Sequence, residues 1–248
     1  MSGLLGRVLD IVYPRTCEVC GGEVDRPGRY VCSDCLMRLP FVPTKGCCRR
    51  CGRDVAGLDR EFVCEDCRTH HPSFDRVASV LRFDGEARQM LLDFKFQRHL
   101  WLRDDFVDWL EGTVRARFRV NQIALVLPMP TSFRHRWDRG YNQCDYLAQA
   151  LAKRLRVPFS RHVVKRVGDP ARQGGLSEED RRENIKGTFA VTGWGRRWLT
   201  KMPRGSSVLV VDDVMTTGST LSECAKTLKD AGFKRIWCVS LLRSLRER

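Results

Sequence analysis

The stretch from Ser207 to Leu221 constrains the fold more than any other part of the chain. Val208-Leu209-Val210-Val211 run without alternation into two adjacent carboxylates, Asp212 and Asp213. Val214 and Met215 follow, then Thr216-Thr217-Gly218-Ser219-Thr220 and a helical pattern. An unbroken apolar run reads as a strand buried on both faces, as in a parallel sheet covered by helices. Ligands of open α/β sheets bind beyond the carboxyl ends of the strands. The hydroxyls and N–H groups of a Gly-containing loop at a helix N-terminus suit a phosphate. Two carboxylates just ahead of that loop can accept hydrogen bonds from a sugar diol or hold Mg²⁺ near the phosphate. The stretch therefore predicts a site for a phosphorylated sugar.

The amino-terminal third has a different construction. Nine of the twelve cysteines fall between Cys17 and Cys67. They form a repeated unit: Cys17-x-x-Cys20-Gly21 with Cys32-x-x-Cys35, then Cys48-x-x-Cys51-Gly52 with Cys64-x-x-Cys67. Two paired knuckles with four thiolates predict a tetrahedral zinc site, and the whole unit occurs twice. The zinc ions would hold small ribbons that lack a core of their own. Tidy paired knuckles favour zinc over an iron–sulfur cluster. Cys47 neighbours Cys48, but its counterpart in the first copy is Thr16, so it is left out of the ligand set. Cys144, Cys224 and Cys238 stand alone in apolar surroundings and read as buried small hydrophobes. His70 and His71 read as linker residues.

From Phe74 onward, strand and helix patterns alternate, which argues for a parallel sheet with helices on both faces. Strands are predicted over 77–83, 123–127, 159–166 and 236–242. Helices are predicted over 85–96, 100–117, 146–155 and 219–231, with Trp101, Phe106, Trp109 and Leu110 as the core face of the second. Gly232 reads as the C-cap of the last helix. Pro128-Met129-Pro130-Thr131-Ser132 is a stiff turn followed by hydroxyls. The segment 168–184, rich in Gly, charge and amides, reads as a long loop.

The 44 basic and 30 acidic side chains give a formal net charge of +14, which favours polyanionic partners. No run of ~18 apolar residues exists to span a membrane, and Met1 to Tyr13 shows no signal-peptide cleavage pattern. The chain reads as cytoplasmic, where dense cysteines point to metal rather than disulfides.

Val208 to Thr220 matches the phosphoribosyl-diphosphate (PRPP) binding motif of type I phosphoribosyltransferases: apolar residues, two acidic residues, a hydrophobic pair, then Thr-Thr-Gly-x-Thr. Over nearly its whole length the chain also resembles the ComF family, associated with DNA uptake and natural competence in bacteria. The paired knuckles, Phe94-Lys95-Phe96, Arg139 to Gln143, Arg172-Gln173, Arg181 to Asn184 with Gly187 and Phe189, and the PRPP motif carry that resemblance in order. Tyr141 stands where Phe is common, and the Arg-rich piece 195–204 reads as an insertion.

The resemblance implies an α/β fold: a phosphoribosyltransferase-like parallel sheet flanked by helices (74–248), preceded by a tandem zinc-ribbon module (1–73). It implies that Asp212 and Asp213 bind the ribose hydroxyls and organise Mg²⁺, and that Thr216 to Thr220 wrap the 5-phosphate. The PRPP-binding set then runs from Asp212 through Val214, Met215, Thr216, Thr217, Gly218, Ser219 and Thr220, with Met129, Pro130 and Thr131 as the pyrophosphate loop. Lys95, Arg139 and Arg172 are candidates to meet the pyrophosphate charge, and 168–184 stands where a lid would close.

Two functions follow from that resemblance. One is Mg²⁺-dependent phosphoribosyl transfer to an unidentified acceptor. The other is a single-stranded-DNA-associated competence factor, working with proteins such as a helicase, whose PRPP site senses a metabolite or is vestigial. The basic segments 134–139, 161–166 and 196–204 suit DNA phosphates in the second case. A zinc-ribbon transcription factor lacks any helix-turn-helix or finger pattern to support it.

Overall fold

A computed structural model describes residues 15–55, 57–58, 60–131, 140–168 and 183–244. Its centre is a four-stranded sheet in the order β1-β6-β5-β2, with β1 Arg76–Arg82, β2 Ile123–Pro128, β5 Ser207–Met215 and β6 Ile236–Arg243. All three pairings are parallel. β3 Val164–Arg166 and β4 Phe189–Val191 form a separate antiparallel pair. The helices are α1 Ser33–Arg38, α2 Glu65–Thr69, α3 Gly85–Leu92, α4 Arg103–Arg117, α5 Gln143–Leu155, α6 Gly193–Lys201 and α7 Ser219–Asp230.

Successive side chains of a strand point to opposite faces, and β5 is buried on both. Leu209 and Val211 join a core with Met90 and Leu91 of α3, Phe106 and Leu110 of α4, and Leu147 and Leu151 of α5. Val208 and Val210 join a second core with Leu221, Cys224 and Leu228 of α7. The first ribbon packs into the former core through Cys17, Val31 and Leu39. The second packs into the latter through its four cysteines and Phe74. The ribbons therefore cover opposite faces of one sheet.

The two ribbons are copies in hydrogen bonding as well as in sequence. Cys17 N–H donates to Gly22 O and Gly21 N–H to Cys17 O; Cys48 N–H donates to Arg53 O and Gly52 N–H to Cys48 O. The Thr16–Glu23 bridge of the first recurs as Cys47–Asp54 in the second, so Thr16 and Cys47 are equivalent. Gly52 (φ +71°) lies flat on β1, where a Cβ would come within 2.8 Å of Val77 O. No other residue type fits there without moving the ribbon off the sheet.

Several expected boundaries change. The helix from Gly85 stops at Leu92 and continues as a π-helical turn, Asp93–Gln97, closed by Arg98 at φ +60°. The wider turn keeps Phe94 in the core while Lys95 reaches β5. The second helix begins as a 3₁₀ turn, Leu100–Leu102, and Trp101 leaves the core face. Its indole donates to Glu18 at 2.6 Å and stacks on His99, so it serves the first ribbon. The helix expected from Tyr146 begins three residues earlier because Asn142 caps it, accepting from Cys144 N–H. The strand expected over 159–166 is reduced to β3, leaving Phe159 a single bridge to Val126 of β2. The Arg-rich insertion is α6 and the residues after it.

The first ribbon is pinned to α4 by Asp105, which is fully buried and accepts from Tyr30 N–H at 2.8 Å, with Arg26 at 3.4 Å. Burial pushes its carboxyl up to about 6, against the lowering effect of Tyr30 N–H and Arg26. A carboxyl raised in the fold favours the protonated form, so its contribution to stability is largest below pH ~4 and declines as pH rises to ~6. The rise corresponds to about 3 kcal/mol at most. Urea midpoints of wild type and Asp105→Asn across this window test the assignment: wild type should lose stability relative to the variant as pH rises. A constant difference would show that Asp105 titrates normally.

Candidate functional site

The carboxyl ends of β5 and β2 carry the predicted sugar-phosphate residues. Asp212 and Asp213 are buried, and a carboxylate oxygen of each lies within 4.8 Å of the other and of the Cys144 sulfur. Asp213 is held by Lys95 Nζ at 2.8 Å and by the Gln143 side-chain amide. Asp212 accepts from the backbone N–H of Asp213 at 2.9 Å, and the Cys144 thiol lies 3.7 Å away. Burial, with the neighbouring charge of Asp213, pushes Asp212 up to about 7. Two adjacent carboxylates in a low dielectric repel, and the Lys95 ammonium offsets that repulsion.

Beyond Met215 the chain turns at Gly218 (φ +81°), the N-cap of α7, which has no side chain to cap the helix. Thr217 and Ser219 hydroxyls lie 2.8 Å apart, and Thr217 Oγ1 accepts from Ser219 N–H. This brings hydroxyls and the N-terminus of a 12-residue helix to one point, as a phosphate requires. Met129 and Pro130 are buried at the end of β2 and Thr131 is half-buried. Met129 N–H donates to Val211 O at 2.8 Å and its carbonyl accepts from Asn142, placing this turn beside the carboxylates. Arg139 and Arg172 lie outside the described residues, as does most of the expected lid.

Three residues near this site were read differently from the sequence. Gln143, part of the Arg139 to Gln143 motif, holds Asp213 through its side-chain amide. Cys144 is buried as expected, but it faces Asp212 rather than a purely apolar core. His70, read as linker, lines an open cleft of about 880 Å³ between the 216–219 loop and the second ribbon. Arg53, Phe74, Lys186 and Arg243 line the same cleft with Thr216 to Ser219.

The eight predicted zinc ligands form two clusters, Cys17/Cys20/Cys32/Cys35 and Cys48/Cys51/Cys64/Cys67, with all sulfurs of a cluster within 4.8 Å of one another. Zinc–sulfur bonds of ~2.3 Å in a tetrahedron put sulfurs about 3.8 Å apart. Cys20 and Cys32 are 3.9 Å apart, and Cys51 and Cys64 3.6 Å. Backbone N–H groups of Cys32 and Cys64 point at Cys17 Sγ and Cys48 Sγ, as thiolates require. The geometry and donor set fit two zinc ions. Cys47 stays outside, its thiol donating to Pro43 O.

The Double zinc ribbon domain family matches residues 8–68 and the Phosphoribosyl transferase domain family residues 142–248. "Competence protein F" of Haemophilus influenzae is 31% identical over 92% of this chain and 96% of its own. The chain belongs to the ComF family. Two further relatives share less identity with this chain. "DNA utilization protein YhgH" of Escherichia coli O157:H7 is 26% identical, covering 92% of this chain and 98% of its own. "Competence protein ComFC" of Bacillus subtilis is 24% identical, covering 84% and 81%. In this ComF-family chain the phosphoribosyl transferase match opens at Asn142, the cap of α5, and so omits Lys95. Among the described residues no helix is long and apolar enough to cross a membrane.

Lys95 and Asp213 are each more than four-fifths buried. Removing one partner of such a pair leaves an uncompensated charge, at a cost of about 3 kcal/mol. Lys95→Met should therefore lower the denaturation midpoint strongly, and adding Asp213→Asn should recover most of the loss. A double-mutant cycle showing simple additivity would mean that the pair is not coupled.

Proposed function

We propose that this ComF-family chain binds PRPP with Mg²⁺ at the carboxyl end of β5, transfers the phosphoribosyl group to an acceptor, and acts in DNA uptake and natural transformation. The observation that carries the reading is the buried Asp212–Asp213 pair leading into an uncapped α7 N-terminus. In this reading Asp212 and Asp213 accept hydrogen bonds from the ribose 2′- and 3′-hydroxyls. The backbone of Val214 and Met215 leads into Thr216 to Thr220, which wrap the 5-phosphate. Met129 to Thr131 line the pyrophosphate, with Arg139 and Arg172 as further cations. Lys95, a candidate to meet the pyrophosphate, is paired with Asp213 at 2.8 Å and holds that carboxylate in place.

Carboxylate oxygens beside phosphate oxygens fit Mg²⁺, which takes few protein ligands and keeps water or substrate oxygens. The Cys144 thiol of the same cluster is too soft a donor for it. Bound there, the cation would offset charge on the leaving pyrophosphate. The reaction itself needs no covalent nucleophile. The C1–O bond to pyrophosphate breaks with both electrons leaving on pyrophosphate, and the acceptor supplies the pair that forms the new C1 bond. The protein's part is to hold the diol and both phosphate ends, keeping C1 in place as positive charge develops. The names of the Haemophilus and Escherichia relatives support a role in competence and DNA utilisation.

A second reading, a single-stranded-DNA-associated factor, is favoured by one surface. On α6, Trp194 is 62% exposed and the Arg197 guanidinium lies over its ring at 5.5 Å. Exposed aromatics among cations suit stacked bases and a backbone. The two readings are compatible within one chain.

Calorimetry with PRPP and Mg²⁺ tests the first reading. Wild type should bind, and Asp212→Asn/Asp213→Asn should bind at least about 10-fold more weakly, since hydrogen bonds to a charged group are worth ~1.5–3 kcal/mol. Equal affinity would rule it out. For the second reading, affinity for single-stranded oligonucleotide should fall steeply with salt and drop further in Trp194→Ala.

A further inference from the structure

We infer that Arg243 is a positioning residue through which the second zinc cluster fixes the phosphate loop, so that zinc at Cys48/Cys51/Cys64/Cys67 and a phosphorylated ligand at the loop bind cooperatively. The inference rests on the PRPP reading of that loop.

Arg243 closes β6 and is only 3% exposed. A guanidinium so buried needs a counter-charge. Among the described residues, no carboxylate lies within ion-pair distance of it, and its Nε has no hydrogen-bond partner. Its other two nitrogens turn to the second ribbon. Nη1 donates to Cys51 O, and Nη2 lies 3.7 Å from Cys51 Sγ. With zinc bound, the four thiolates would present a net charge of −2 to Arg243, and the metal would hold Cys51, whose O and Sγ are the atoms that Arg243 meets.

The same guanidinium reaches the phosphate loop. Nη1 is 3.5 Å from Met215 Sδ, and Met215 lies opposite Arg243 in the β5–β6 register. Ser244 N–H donates to Met215 O at 2.9 Å. The Met215 methyl in turn packs under the loop: a Cβ on Gly218 would come within 2.7 Å of it. The contacts thus run from Cys51 through Arg243 and Met215 to Gly218, the N-cap of α7. Cys51, Arg243 and Thr216 to Ser219 share one cleft. With Cys51 fixed in its ribbon, Arg243 is held and the loop is preorganised. With the ribbon free to open, Arg243 loses both contacts to Cys51, and the loop loses its support.

The first ribbon supplies an internal control. Arg38 lies 3.1 Å from Cys35 Sγ, a comparable arginine–thiolate contact, but it is exposed on α1 and belongs to the ribbon on the opposite face of the sheet.

The test uses the full-length zinc-loaded protein, PRPP with Mg²⁺ as ligand and a chromogenic chelator to follow zinc release. Arg243→Met should weaken PRPP binding about 10-fold, a typical coupling between sites, and should speed the release of one of the two zinc ions. Arg243→Lys, which keeps the charge, should recover part of the affinity. Arg38→Met should affect the other zinc and leave PRPP binding unchanged. In wild type, PRPP should slow the release of one zinc ion only, a measurement that needs no variant to fold. Unchanged PRPP affinity in Arg243→Met with both zinc ions retained overturns the inference. So does zinc release from wild type that PRPP leaves unaltered. A wild type that binds no PRPP overturns the PRPP reading itself and this inference with it, an outcome visible before any variant is made.

Discussion

The structure depends on β5 being buried on both faces while ending in two carboxylates. A strand in that position has no solvent to hydrate its polar end, so every charge there must find a partner in the protein or a ligand. The two carboxylates converge to within 4.8 Å of each other, yet they find different partners. Asp213 meets Lys95 and Gln143. Among the described residues, Asp212 meets its neighbour's N–H and a thiol, and burial raises its proton affinity. The π-helical turn after α3 follows from this demand, because the turn that buries Phe94 also brings Lys95 to Asp213.

The ribbons are the second consequence of a sheet exposed at its margins. Neither has enough apolar residues for a core of its own, so each combines a metal with a share of the sheet's core. The knuckle of the second ribbon lies against β1, with Val77 N–H donating to Arg50 O at 2.6 Å. The first is held to α4 by Asp105 and by the Arg29–Asp108 pair. The amino-terminal module is therefore integrated with the α/β domain, and among the described residues it is the second ribbon that borders the 216–219 loop.

What was legible in the sequence follows from locality. The strand–loop–helix of the site and the C-x-x-C pairs place their chemistry within a few residues, and the structure realises both. The equivalence of Thr16 with Cys47, inferred from the repeat alone, recurs as equivalent backbone bridges. What escaped prediction depends on residues distant in the chain. Trp101 has the spacing of a core residue, but Glu18 draws it to the first ribbon. Gln143 sits 70 residues from the Asp213 it holds, and Arg243 sits 192 from Cys51. Periodicity reports which face of an element is apolar; it carries no information about which distant polar group meets a buried charge.

The distribution of partners within the site also divides affinity from specificity. Asp213 already has strong partners in the protein, so a diol hydroxyl approaching it gains only the difference between old and new hydrogen bonds. Asp212 offers more, but first it must be ionised in a buried setting. In the 216–220 loop the internal partner is a neutral hydroxyl, Thr217 Oγ1 on Ser219 N–H, and the helix dipole favours an anion there. In the proposed PRPP reading, binding energy therefore comes chiefly from the 5-phosphate end, with the carboxylates selecting for a ribose whose hydroxyls can replace the partners they displace. On that division, whatever stiffens Gly218 and its neighbours governs how strongly the chain holds its ligand. The wall beside those residues is the second zinc ribbon.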